Sequence, residues 1–88
     1  MVIVGELSRL PNIGKTIEEQ LNSVGVHTGE QLREIGSKQA WLNIKKIDET
    51  ACINRLLALE GAIQGIRWHY LPEKTKNELN TFYNSYNL

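Results

Sequence analysis

Apolar residues recur at intervals of three and four along most of the chain, the period that lines one face of a helix. No stretch alternates convincingly in the two-residue rhythm of a strand. Pro11, Gly14, Gly25, Gly36, Gly65 and Pro72 punctuate the pattern. The spacing predicts a short helix over residues 5–10, which Pro11 stops because proline pushes the residue before it out of the helical region. A second helix over 15–24 shares a stripe of Ile13, Ile17, Leu21 and Val24, and Gly25 is placed to cap its end. Thr28 starts a third, with Gln31 at the spacing of a capping box, in which two orphan donors are satisfied reciprocally. Leu32 and Ile35 face inward there, and Gly36 ends it. Ser37 is the expected cap of a fourth helix bearing Ala40, Trp41, Ile44 and Ile47. Asp48 is the expected cap of a longer fifth helix running through about Gln64. That helix carries Cys52, Ile53, Leu56, Leu57, Leu59 and Ile63, and so broad a stripe marks it as the central, most buried element. Pro72 suits the first position of a last helix, where no backbone donor is needed, with Leu79, Phe82, Tyr83 and Tyr86 on one face. The expected fold is all-α, a compact bundle of five to six short helices in one domain over residues 1–88.

Composition narrows what such a bundle can do. Eighty-eight residues make one small domain. Ten Lys+Arg balance ten Asp+Glu, which argues against a protein that coats nucleic acid and leaves room only for a local basic patch. One cysteine forms no internal disulfide and no cysteine-rich zinc site. His27 and His69 lie far apart with no clustered acid or thiol, short of the three or four ligands zinc needs. Cys52 falls on an apolar stripe, as a small buried hydrophobe would, with no base beside it to make a nucleophile. No cofactor, metal or small-molecule substrate is indicated, and no enzyme chemistry. No apolar run approaches the roughly 18–20 residues of a membrane span. Met1-Val2-Ile3-Val4 is too short for a secretory signal, and a cytoplasmic protein is expected.

The stretch Leu10-Pro11-Asn12-Ile13-Gly14-Lys15 is the most informative motif. It resembles a helix-hairpin-helix, in which a tight turn aims backbone N–H groups at a nucleic-acid phosphate. Gly14 would supply a permissive backbone, the next helix start a positive dipole, and Lys15 a cation. The usual motif begins its turn with glycine; here Asn12 stands there, the residue type that tolerates the left-handed region next best. A second, degenerate copy maps Ile13-Gly14 onto Ile35-Gly36 at a shift of 22. After one inserted residue, Lys15, Ile17, Leu21 and Val24 map onto Lys38, Ala40, Ile44 and Ile47 at a shift of 23. Charge follows the same region. Residues 1–34 hold three cations against five acids, residues 35–47 hold Lys38, Lys45 and Lys46 with no acid, and residues 48–88 hold four cations against five acids. Asn12, Ile13, Gly14, Lys15 and Thr16 with Lys38, Lys45 and Lys46 are therefore the candidate nucleic-acid contacts. Plain turns between packed helices, and lysines on a solvated helix face, explain the same residues without a ligand.

The second half carries a more specific signature: Leu56-Leu57-Ala58-Leu59-Glu60-Gly61-Ala62-Ile63-Gln64-Gly65, followed by Trp68 and Leu71-Pro72. It resembles the TfoX/Sxy C-terminal domain, and the Ile-Gly turn and Gly-Val-x-Thr step upstream match that family too, over about residues 7–79. The resemblance implies a bacterial protein related to regulators of natural competence, which act on transcription. It implies a helix-hairpin-helix-like (SAM-like) bundle without established catalytic residues. Longer members carry a separate α/β domain ahead of it.

The signature residues Leu59, Glu60, Gly61, Ala62, Gly65, Trp68 and Pro72 have physical roles of their own. Gly61 inside a helix costs about 1 kcal/mol relative to alanine, a cost accepted where something must approach closely. Gly65 caps the helix end. Glu60, among apolar neighbours, is expected to reach the amides at another helix start or the indole N–H of Trp68 or Trp41. Trp68 is expected to plug the core beside His69 and Tyr70. Two modes of action follow. One is a regulatory module touching DNA through residues 12–16. The other is a protein-interaction or homo-oligomerisation module, with exposed Tyr83 and Tyr86 as anchors.

Overall fold

Five α-helices succeed one another, with no strand, across residues 7–86, the part of the chain that the computed structural model describes. They are α1 (Lys15–Ser23), α2 (Gly29–Ile35), α3 (Ser37–Ile47), α4 (Ile53–Gln64) and α5 (Glu73–Tyr86). Single 3-10 turns at Leu7–Arg9 and Trp68–Tyr70 lead into α1 and α5. The all-α expectation holds. The helix expected over 5–10 is reduced to the Leu7–Arg9 turn, and residues 5 and 6 lie outside the described residues.

Helix ends follow local chemistry in three places. Val26 N–H bonds to the Leu21 carbonyl at 2.8 Å and Gly25 N–H to the Asn22 carbonyl at 3.2 Å. With Gly25 at φ +87, these bonds make the paired closure of a Schellman motif. The end of α4 repeats it, with Ile66 N–H on Gly61, Gly65 N–H on Ala62 and Gly65 at φ +75. Thr28 caps α2 by accepting the Gln31 N–H at 3.0 Å. The reciprocal half of the box is displaced by one residue, because the Gln31 side chain accepts from His27 N–H rather than from Thr28.

Two expected caps are not caps. Gly36 precedes α3 with φ +84, and Ser37 is its first residue, buried, with its hydroxyl turned to the Glu60 carboxylate at 2.7 Å. Cys52 precedes α4, and Asp48 ends α3 instead. Asp48 organises the α3–α4 turn: Oδ1 accepts from the N–H and hydroxyl of Thr50, and Oδ2 from Arg55 (2.8 Å) and Gln20 (2.7 Å). Cys52 at that cap is exposed, not a buried hydrophobe. Ile47, expected on the inner stripe of α3, is 56% exposed where the helix runs out. Pro72 falls one residue ahead of α5, and its carbonyl accepts the first helical bond from Lys76.

α4 is the central element, with Leu56, Leu57, Ala58, Leu59, Gly61 and Ala62 buried as α2, α3 and α5 pack around it. Trp41 on α3 is fully buried, and its indole N–H donates to the Cys52 carbonyl at 3.3 Å. Phe82 and Tyr83 of α5 meet its ring edge-on, with centroids 6.0 and 5.6 Å away, the arrangement aromatic quadrupoles favour. Tyr83 is therefore half-buried core rather than an exposed anchor, while Tyr86 is 57% exposed. Leu7, Leu21, Leu32, Ile44, Leu56 and Leu59 complete the sealed interior.

Four donors on one carboxylate hold folded Asp48 well below the usual carboxylate range, the Thr50 hydroxyl most strongly, then the Thr50 N–H, Arg55 and Gln20. A depressed acid stabilises the fold above its unfolded pKa and loses that contribution as pH falls toward the folded value. Asp48→Asn is expected to lower the thermal midpoint near neutral pH, with the gap from wild type closing as pH falls below about 4. Melting curves across a pH series check this, and a gap that is constant with pH contradicts it.

Candidate functional site

The hairpin turn is built by Pro11 and Asn12. Ile13 N–H bonds back to the Leu10 carbonyl at 3.4 Å. Pro11 and Asn12 between them occupy the places of a type II turn, whose third residue needs positive φ. Asn12 supplies it at φ +70, alone among the described non-glycine residues. Its side chain then does what glycine could not. Nδ2 donates to the Ile66 carbonyl at 2.9 Å and lies 3.4 Å from the Ala58 carbonyl, while Oδ1 accepts the Trp68 N–H at 3.1 Å. The turn is thereby fastened to the end of α4 and to the loop after it.

Gly61 is the counterpart of that fastening. A Cβ there would stand 2.5 Å from Asn12 Nδ2, 2.8 Å from the Ile66 carbonyl oxygen and 3.1 Å from Trp68 Cα. The close approach expected of Gly61 is thus made by a side-chain amide and a loop backbone, not by another helix.

Of the five hairpin residues, two are turned inward. Asn12 bonds as above and Ile13 is buried. Gly14, Lys15 and Thr16 are exposed at the start of α1. Gly14 precedes the helix at φ −93, ψ −177, extended backbone that any residue adopts, and a Cβ added to it meets nothing within 4 Å. The expected need for a permissive backbone at Gly14 is therefore absent. No side chain caps α1; its first backbone bond is Glu18 N–H to the Gly14 carbonyl, and the N–H groups of Lys15, Thr16 and Ile17 find no partner among the described residues. Glu18, which sequence reasoning passed over, is a buried carboxylate in that first turn, directed back to the Ser8 N–H at 3.0 Å.

Lys38 and Lys45 have neighbours of their own. Lys38 lies over the Phe82 ring of α5, 5.4 Å from its centroid. Lys45 donates to the Glu49 carbonyl at 2.6 Å and stands 5.9 Å from the Trp41 ring. Lys46 is exposed on α3. The second hairpin copy also places its glycine, Gly36, just before a helix, and the inserted residue of that copy is Ser37. Its hydroxyl already meets the Glu60 carboxylate, an anion from within the chain. Glu60 thus reaches a helix start as expected, but through a hydroxyl and not through amides or an indole.

Trp68 is half-buried against the core and stacks on His69 with centroids 4.0 Å apart, so it plugs the core with one face only. Leu59 and Ala62 are buried, Gly65 closes α4, and Pro72 is exposed. Among the described residues no group of three His, Cys, Asp or Glu is placed to hold a metal ion, and no helix is long and apolar enough to cross a membrane.

Residues 4–83 match the family model of the TfoX C-terminal domain. The chain is similar to Protein Sxy of Escherichia coli (strain K12), with 36% identity over 73 residues, 83% of this chain and 35% of that protein. It spans about a third of the length of this relative. Two crystal structures of uncharacterised Listeria monocytogenes proteins superpose on it, each with a TM-score of 0.90. One is 50% identical over 91% of both chains, and the other 49% identical over 92% of this chain and 99% of its own.

The amide lock separates backbone from hydrogen-bond contributions. Asn12→Gly keeps the positive φ and loses the bonds, at an expected cost of about 1–3 kcal/mol. Asn12→Ala adds left-handed strain of about 1 kcal/mol more. Gly61→Ala forces the amide and loop aside, at about 1–3 kcal/mol. Chemical denaturation measures all three, and an Asn12→Ala variant as stable as wild type would refute the lock.

Proposed function

The chain belongs to the TfoX C-terminal domain family, and from that premise we propose a non-enzymatic regulatory module, related to competence regulators, that grips nucleic-acid phosphate at the start of α1. One observation carries the proposal: three backbone N–H groups, of Lys15, Thr16 and Ile17, stand without partners among the described residues at a helix start whose first positions are exposed. Such a start presents donors and the positive end of the helix dipole together. The bare Gly14 supports the same reading. Among the described residues nothing excludes a side chain there, and a bare position leaves room for an approach from outside. Lys15 adds the cation, and the helix-hairpin-helix arrangement is the turn of Pro11–Ile13 leading into α1.

With few cations at the turn, binding is weak and salt-sensitive, and the wider surface remains electrically balanced. A protein partner or second copy is the alternative. The groove between α3 and α5 favours it, since Ile35, Leu42, Phe82 and Tyr86 leave apolar surface open there.

Duplex DNA titrated at about 50 mM salt is expected to bind, with affinity falling by about tenfold toward 200 mM, as release of two or so counterions requires. Gly14→Asp should leave the melting temperature equal or higher, because aspartate is a favoured N-cap. It should lower affinity by at least about tenfold, because the carboxylate takes the phosphate's place. Absence of wild-type binding at the lower salt sinks the proposal.

A further inference from the structure

Asn12 does more than close a turn. Its Oδ1 holds the Trp68 N–H at 3.1 Å, so the loop that carries Arg67 and His69, on either side of Trp68, is tied to the hairpin although it lies more than fifty residues along the chain. Gly14 follows Asn12 by two residues, at most about 7 Å of backbone.

The segment so placed has an unusual surface. Tyr70 is 77% exposed, more than any other large hydrophobic residue described, and packing does not account for it. His69 is exposed and backed by the Trp68 ring, stacked at 4.0 Å with 27° between the planes. Arg67 and Lys74 are exposed, and neither makes an ion pair or side-chain hydrogen bond among the described residues, where the one ion pair is Arg55–Asp48. Lys76 is bound to the His69 carbonyl at 2.9 Å and stiffens the loop from below. From Arg67 to Lys76 three cations face a single acid, Glu73, in a chain whose net charge is zero.

Presented rings flanked in sequence by unpaired cations match one ligand chemistry: bases that stack and a phosphate backbone that runs past. Bases in a duplex are already stacked on one another, so the rings need an unpaired strand. We infer that the Arg67–Tyr70 loop is a binding site for single-stranded nucleic acid, with Tyr70 and His69 as stacking surfaces and Arg67 as the phosphate contact, continuous with the start of α1. The inference rests on the reading of that helix start for its second contact.

Tryptophan fluorescence reads the site directly, since Trp41 is sealed in the core and Trp68 is half-exposed beneath the loop. Titration with oligothymidylate, oligouridylate and a duplex of equal length is expected to quench Trp68, more tightly with the single strands. Tyr70→Ala and Arg67→Ala should each weaken single-strand affinity by about tenfold, within the range of one lost stacked base. Tyr70→Phe, which keeps the ring, should preserve it. Both positions are exposed, and circular dichroism checks that the helices persist. Unaltered affinity in Tyr70→Ala, with Gly14→Asp still impaired, overturns the loop site and leaves the helix start standing. Loss in Tyr70→Ala with Gly14→Asp unimpaired overturns the helix start and upholds the loop. Equal quenching by polyglutamate overturns the loop's assignment to nucleic acid in favour of an acidic protein partner.

Discussion

A single amide spans the fold. Helical bundles are held mainly by contacts between elements close in sequence, yet Asn12 bonds to residues 54 and 56 positions away. The loop-closure entropy of such a contact has to be met by the packing around it. Here the packing and the bonds are inseparable, because Asn12 reaches its partners only through the space that Gly61 leaves open. The Ile66 carbonyl and Trp68 N–H would otherwise be partly buried donors and acceptors without partners, which is costly. The Schellman closure at Gly65 also presents the Ile66 carbonyl to Asn12. Turn, helix end and loop are therefore one cooperative unit.

That unit explains what was legible in the sequence and what was not. Periodicity and glycine placement were enough for five helices, because each stripe is read against its own axis. Thr28 was legible as a cap because its bond is made within one turn. Ser37 and Asp48 are equally good caps by type, yet both are drawn away. Ser37 answers a carboxylate 23 residues on, and Asp48 collects donors from α1, its own turn and α4. Local propensity cannot see a tertiary competitor. Cys52 takes the vacated cap although its residue type predicts nothing of the kind.

Residue type and spacing named the candidate site, and the surroundings of each residue come from the fold. Lys38 and Lys45 of α3 share a face, as their spacing of seven requires, and each has a neighbour of its own. The Lys38 ammonium rests over Phe82, and Lys45 donates to carbonyls of the turn that follows α3. Within the hairpin the cation is Lys15; the loop tied to it carries Arg67, which no periodicity links to residue 12. Only the Asn12 bond makes them neighbours. Asparagine at the glycine position of the turn was the visible clue. Read as a tolerated substitution it says little; read as a residue with a side chain to use, it asks what that side chain reaches.

Two glycines in one small chain have opposite reasons. Gly61 is required from within, since any side chain there collides with the amide and the loop backbone. Gly14 is required by nothing among the described residues, since its backbone is extended and a Cβ there would meet none of them within 4 Å. A residue that the interior does not demand is free to answer the exterior, and a bare helix start with unbonded amides is a surface that larger side chains would block. The same amide that forces Gly61 also fixes the direction in which Gly14 faces. The rigid half of the hairpin is thus what gives the open half a defined orientation.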